Sequence, residues 1–160
     1  MSQFPLQLNY YFITNLSLKA NPNAIGDHGD IQPILADDLN VQFGFFDADE
    51  DGAIQCNLSV SSIKELAYEF SVEIVGFFLF EEDLTESEKK NYLINAPATL
   101  FGIAREKLAS LSADGPHTKI ILPMVDARVF QSDELELSIP KMKLSSKKST
   151  AKKKTTRKKS

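Results

Sequence analysis

From Leu6 to Ala20 the even positions read Leu6, Leu8, Tyr10, Phe12, Thr14, Leu16, Leu18 and Ala20. Fifteen residues of period-two alternation restrict the chain more than any other feature, because only a β-strand places every second side chain on one face. A long strand with one buried face is therefore expected here, and it needs partners. Three further runs supply them. Leu39, Val41, Phe43 and Phe45 alternate with polar residues or glycine, as do Ile54, Cys56, Leu58 and Val60. The run YEFSVEIVGFFLF (68–80) begins with Tyr68, Phe70, Val72 and Ile74 facing inward. From Val75 onward both of its faces are apolar, so cover on both sides is expected, with Gly76 marking a bulge or a close backbone approach.

The joints are equally legible. NPNAIGDHGDIQPILADD (21–38) is rich in Asn, Asp, Gly and Pro and reads as a long loop, a length that in a compact domain points to function. TESE (85–88) is a capping-box pattern and predicts a short helix through about Leu93. Pro97 suits a first helical turn, after which Leu100, Phe101, Ala104, Leu108 and Leu111 fall on one helical face; Gly115 and Pro116 stop it. Residues 118–130 form a short apolar segment, and DELELSIP (133–140) alternates weakly. Strands followed by helices give an α+β fold: a four-stranded antiparallel sheet with a long crossover loop, packed by a helix from the C-terminal half.

Charge divides the chain sharply. Residues 141–160 hold ten Lys or Arg and no acid, which leaves eight basic and 22 acidic residues, −14, in residues 1–140. The expected organisation is one domain over 1–140 and a solvated, disordered Lys-rich tail over 141–160. An acidic body repels nucleic acid, so any contact with nucleic acid or an anionic membrane falls to the tail. The N-terminus shows no basic leader before an apolar stretch, and a single cysteine, Cys56, forms no internal disulfide. A cytoplasmic, reducing location is expected.

Asp47, Asp49, Asp51 and Gly52 carry the opening spacings of an EF-hand calcium loop. The twelfth position, however, is Leu58, where that loop needs a bidentate Glu, and the flanks alternate as strands. Asp51-Gly52 is instead a hairpin signal. His28 and His117 read as solvated loop residues, Glu69 and Glu73 as an exposed strand face, and Cys56 as a small core residue. No phosphate cradle or nucleophile elbow is present in the sequence. No enzyme, cofactor or metal is expected, and the working feature should be a binding surface.

LSLKANPN (16–23), YEFSVEIVGFF (68–78) and NAPATLFGIAREKLASLSADGPHTKIILPMVDA (95–127) together resemble, in wording, order and spacing, the SecB family of protein-export chaperones, over about residues 6–130. The resemblance implies a homotetramer, a dimer of dimers, that holds unfolded client proteins in apolar grooves without ATP. On this chain Ile31, Ile34 and Leu35 of the long loop would roof a groove lined by Phe77, Phe78, Phe80, Leu100 and Phe101. The family's export branch docks the translocation ATPase SecA through acidic residues on the outer sheet face. The matching places here fall near Asn15, Lys19 and Ser71, with charge lost or reversed. A SecB-like chaperone with another client, such as an antitoxin, is a variant of the same reading. The alternative is a non-enzymatic oligomeric adaptor that works through its basic tail.

Overall fold

A computed structural model describes residues 4–24, 34–48, 52–63, 67–81 and 83–131. Four strands, β1 (Leu6–Ala20), β2 (Leu39–Asp47), β3 (Ala53–Ser62) and β4 (Tyr68–Phe80), form one antiparallel sheet in the order β1-β4-β3-β2. Helices α1 (Glu86–Leu93) and α2 (Asn95–Ser112) follow, and a 3-10 turn at Ala127–Gln131 ends the described chain. Because β1 and β2 lie at opposite edges, the loop between them must carry the chain across the whole sheet. That explains its length. Ile31, His28, Asp49, Asp51, residues 132–140 and the Lys-rich tail lie outside the described residues.

The α2 helix packs on β3, β4 and β1. Between sheet and helix lies the core, built from Cys56, Leu58, Val60, Phe70, Val72 and Ile74 on the sheet and Leu100, Phe101, Ala104 and Leu108 on the helix. Gly76 is a point of close approach: a Cβ there would stand 2.7 Å from Cδ2 of Leu100. Only glycine lets that leucine reach the strand. The β2–β3 hairpin has Gly52 at φ +78°, and Leu58 is sealed in the core. The predicted capping box is present, with Glu88 N–H donating to Thr85 Oγ1 (3.3 Å) and Thr85 N–H to Glu88 Oε2 (2.8 Å). The Thr85 N–H and the Thr85 hydroxyl, both donating to Glu88 Oε2, lower the pKa of its carboxyl.

One expectation fails in an instructive way. β1 does not keep one face inward. Its register against β4 shifts between Leu8 and Tyr10 and again between Ile13 and Asn15. Each bulge inserts an extra residue and exchanges the faces. Leu6 and Leu8 therefore lie opposite Phe80 and Phe78 on the helix side, whereas Tyr10 and Phe12 lie opposite Phe77 and Val75 on the outer side. Leu16, Leu18 and Ala20 return to the helix side, opposite Val72, Phe70 and Tyr68. The bulges fall on β1, not at Gly76.

The end of α2 is anchored by polar contacts. Ser112 Oγ donates to the Leu108 carbonyl (2.7 Å) and accepts from Ile120 N–H (2.8 Å). Arg105 Nε donates to the Leu122 carbonyl (2.8 Å). Tyr68 Oη accepts from His117 N–H (2.9 Å) and donates to its carbonyl (3.1 Å). The His117 ring meets the Tyr68 ring edge-on, and its Nε2 lies 3.0 Å from the Asn21 carbonyl. His117 is thus a structural pin between the end of β1, the start of β4 and the turn after α2, not a solvated loop side chain.

Candidate functional surfaces

A single α-helix is about 10 Å across, whereas four strands about 4.8 Å apart make a wider sheet. One helix cannot cover all four. Here β2 is the strand left over, and its helix-side residues Val41, Phe43 and Phe45 are only half-buried. The irregular segment after α2 gives them partial cover. Phe130 meets Phe43 edge-on at 5.3 Å and 87°, and Phe43 meets Phe45 at 5.9 Å and 75°. The same segment buries Ile120 and Leu122 while Ile121 and Met124 stand exposed, Met124 by 87%. The result is an aromatic ladder on β2, while Ile121 and Met124 of the covering segment stand in water.

The sequence-predicted site residues separate onto different surfaces. Ile34 packs half-buried against the core, and Leu35, next in the chain, is 59% exposed just ahead of β2. The Leu35 N–H donates to Asp38 Oδ2 (3.1 Å), which fixes the approach to the strand. Phe78, Leu100 and Phe101 are core residues, each 2% exposed or less, because Phe78 points to the helix and the other two point back at the sheet. Within this chain they are closed to solvent. Phe80 is half-buried opposite Leu6, with the Lys89 ammonium 5.9 Å from its ring. Phe77 lies on the outer face, its ring stacked on Tyr10.

That outer face has two halves. Toward the end of β4, one cross-strand row runs Tyr10, Phe77, Gln55, Phe46, and the next runs Phe12, Val75, Asn57, Gly44. Beyond them the rows turn polar, through Asn15, Glu73 and Ser59 to Ser17, Ser71 and Ser61. Asn15 Nδ2 donates to Ser71 Oγ (3.3 Å), and Lys19 lies opposite Glu69. Asn15, Lys19 and Ser71 are therefore on the outer face, together with Glu69 and Glu73.

Tyr10, Phe12 and the β2 phenylalanines were missed as surface residues. The bulges hide the first two from any alternation pattern. The second group had a signal, the mismatch between one helix and four strands. Cys56 is fully buried, and burial pushes its thiol up to about 12, which leaves it a neutral core side chain. Among the described residues no group of three or more His, Cys, Asp or Glu is placed to hold a metal ion. No described helix is long and apolar enough to cross a membrane.

The class defined by this geometry is an α+β sheet-and-helix fold with open apolar surfaces on both sides of the sheet. No protein-family model and no curated protein matches the chain. Among solved structures it is similar in fold to a SecB-like chaperone of Mycobacterium tuberculosis in complex with a ChAD peptide from the HigA1 antitoxin, at 14% identity and a TM-score of 0.46, covering 76% of this chain and 88% of that one. It is also similar to a protein of unknown function from Streptococcus agalactiae, at 14% identity and a TM-score of 0.47, covering 76% and 99%.

Proposed function

We propose that the protein is an ATP-independent holdase that binds unfolded polypeptides through the half-covered side of β2. The observation that carries this reading is the Phe45–Phe43–Phe130 ladder, with Leu35 exposed just ahead of β2 and Met124 exposed in the segment that carries Phe130, in a chain whose core is already complete. Apolar burial is non-directional, so such a surface takes many sequences, each well-buried side chain contributing about 1.5–3 kcal/mol at most. Ile34, half-buried just ahead of Leu35, would flank the approach to β2. The acidic body favours clients with net positive charge. The sequence resemblance in 68–78 and 95–127 supports a homotetramer acting in protein export in the cytoplasm, without enzymatic chemistry. Loss of acidic character near Asn15, Lys19 and Ser71 weighs against SecA as the partner and favours a different client set.

The test is suppression of aggregation of a chemically denatured client, with and without residues 141–160. A holdase of this kind keeps its activity without the tail and in raised salt, and loses it on Leu35→Asp with Ile34→Asp. The ten tail cations favour one rival, an oligomeric adaptor that grips nucleic acid or an anionic membrane. Under that reading activity disappears with the tail and falls steeply with salt. Light scattering reads the assembly, and a monomer at micromolar concentration would count against the tetramer.

A further inference from the structure

The uncharged half of the outer sheet face is a surface of its own, separated from the β2 ladder by the thickness of the sheet. Its centre is the ring of Phe77, stacked on Tyr10 at 4.5 Å and 18° and set 6.1 Å from Phe12. Both β1 aromatics remain nearly half exposed. On the far side the Phe46 ring lies over Gly44, where a Cβ would stand 3.5 Å from it, at ordinary contact distance. Between them Gln55 Nε2 donates to Asn57 Oδ1 (2.7 Å), so these amides are partly satisfied by each other. Neither of the two rows contains a charged side chain, and Glu73 stands in the row beyond.

We propose that this patch is a second client-contact surface that takes an uncharged, extended, apolar segment of unfolded polypeptide. The inference rests on the holdase reading and extends it. Size argues for that occupant. Four strands about 4.8 Å apart and two to three rows of side chains give a face of roughly 20 by 15 Å, on the order of 300 Å². A stable dimer needs about 800 Å² from each partner, so the patch is too small to hold a second copy by itself. It matches an extended segment of about six residues, which spans roughly 20 Å. Charge narrows the choice further. A Lys or Glu laid on Phe77 would lose hydration and meet no opposite charge in either row, so neutral aromatic and aliphatic segments are preferred. Apolar surfaces on both sides of one sheet let a long client engage both by passing over an edge. The second contact is then intramolecular, and a long chain binds more tightly than either short piece.

The experiment uses the full-length protein and a neutral eight-residue peptide alternating Phe and Ser, titrated by calorimetry, alongside a denatured full-length client. Expected are about two peptide equivalents per subunit, falling to about one in a Tyr10→Ser, Phe12→Ser variant with an unchanged fold by circular dichroism. Phe12→Leu retains both. Leu35→Asp with Ile34→Asp removes the other equivalent, and the long client weakens in either variant. The same number of equivalents in wild type and patch variant overturns the assignment. So does an oligomer that falls apart in that variant, since the occupant would then be a second copy. A wild-type protein that binds neither peptide nor client ends the holdase reading itself, a different result from one equivalent that only the Leu35 side controls.

Discussion

Tyr10 and Phe77 stack ring on ring across adjacent strands, on the face of the sheet that α2 never touches. Phe78, the very next residue, is sealed under that helix. Neighbouring phenylalanines thus differ in cost of removal. Phe78→Ala should lose about 3–5 kcal/mol, whereas Phe12→Ser on the open face should lose under about 1.5 kcal/mol. Urea midpoints at unchanged slope check both, and equal losses would mean that the outer face is covered in solution.

Gly76→Ala tests the close approach of helix and sheet. The new methyl would meet Leu100 Cδ2 at 2.7 Å and Phe78 Cε2 at 3.0 Å, both on buried side chains. Overpacking of this kind costs about 1–3 kcal/mol. Leu100→Ala in the same chain should cost less than the sum of the two single changes, because the cavity receives the methyl. Strict additivity in denaturant unfolding would show that the two residues are not in contact.

Tyr68→Phe removes the hydroxyl that both donates to and accepts from the His117 backbone. The expected loss is about 1–2 kcal/mol, the cost of leaving a partly buried N–H and carbonyl unmatched. Hydrogen exchange at the His117 amide should speed up about tenfold or more, with the β3 amides moving only by the global change. An unchanged exchange rate at His117 would remove the pin from the account.

Cys56 sets an alkaline limit. Burial raises its thiol from 9.0 to about 12 in the folded chain, so the unfolded chain releases that proton first. Below about pH 9 the thiol adds no pH dependence. From there up to about 12 the folded state holds one more proton than the unfolded, and stability falls by about 1.4 kcal/mol per pH unit from this group. Cys56→Ala lowers the baseline through the cavity it leaves but removes that slope. Stability curves of the two proteins that run parallel between pH 8 and 10.5 would contradict the assignment.

The apolar alternation of β2, β3 and β4 was legible because each of those strands keeps one register throughout, so letter pattern and face agree. The hairpin at Gly52, the Thr85–Glu88 box and the inward stripe Leu100, Phe101, Ala104, Leu108 were legible for a related reason, whereas Leu111, placed on the same stripe, is exposed at the helix end. Each is decided within a few residues by backbone sterics, a local hydrogen bond or helical spacing. The candidate site was less so. Phe77 and Phe80 were singled out for apolarity alone, which does not distinguish core from surface, and Phe78, Leu100 and Phe101 went to the core.

What the amino-acid order determined by itself is the set of strands, turns and caps, since these depend on neighbours a few positions away. What tertiary structure decided is the direction in which Tyr10 and Phe12 point and the exposure of Phe43 and Phe45. The first depends on where β1 slips against β4, a pairing between residues some 60 positions apart. The second depends on how far one helix reaches across four strands. Both are distances through space, and alternation along a strand carries no record of them.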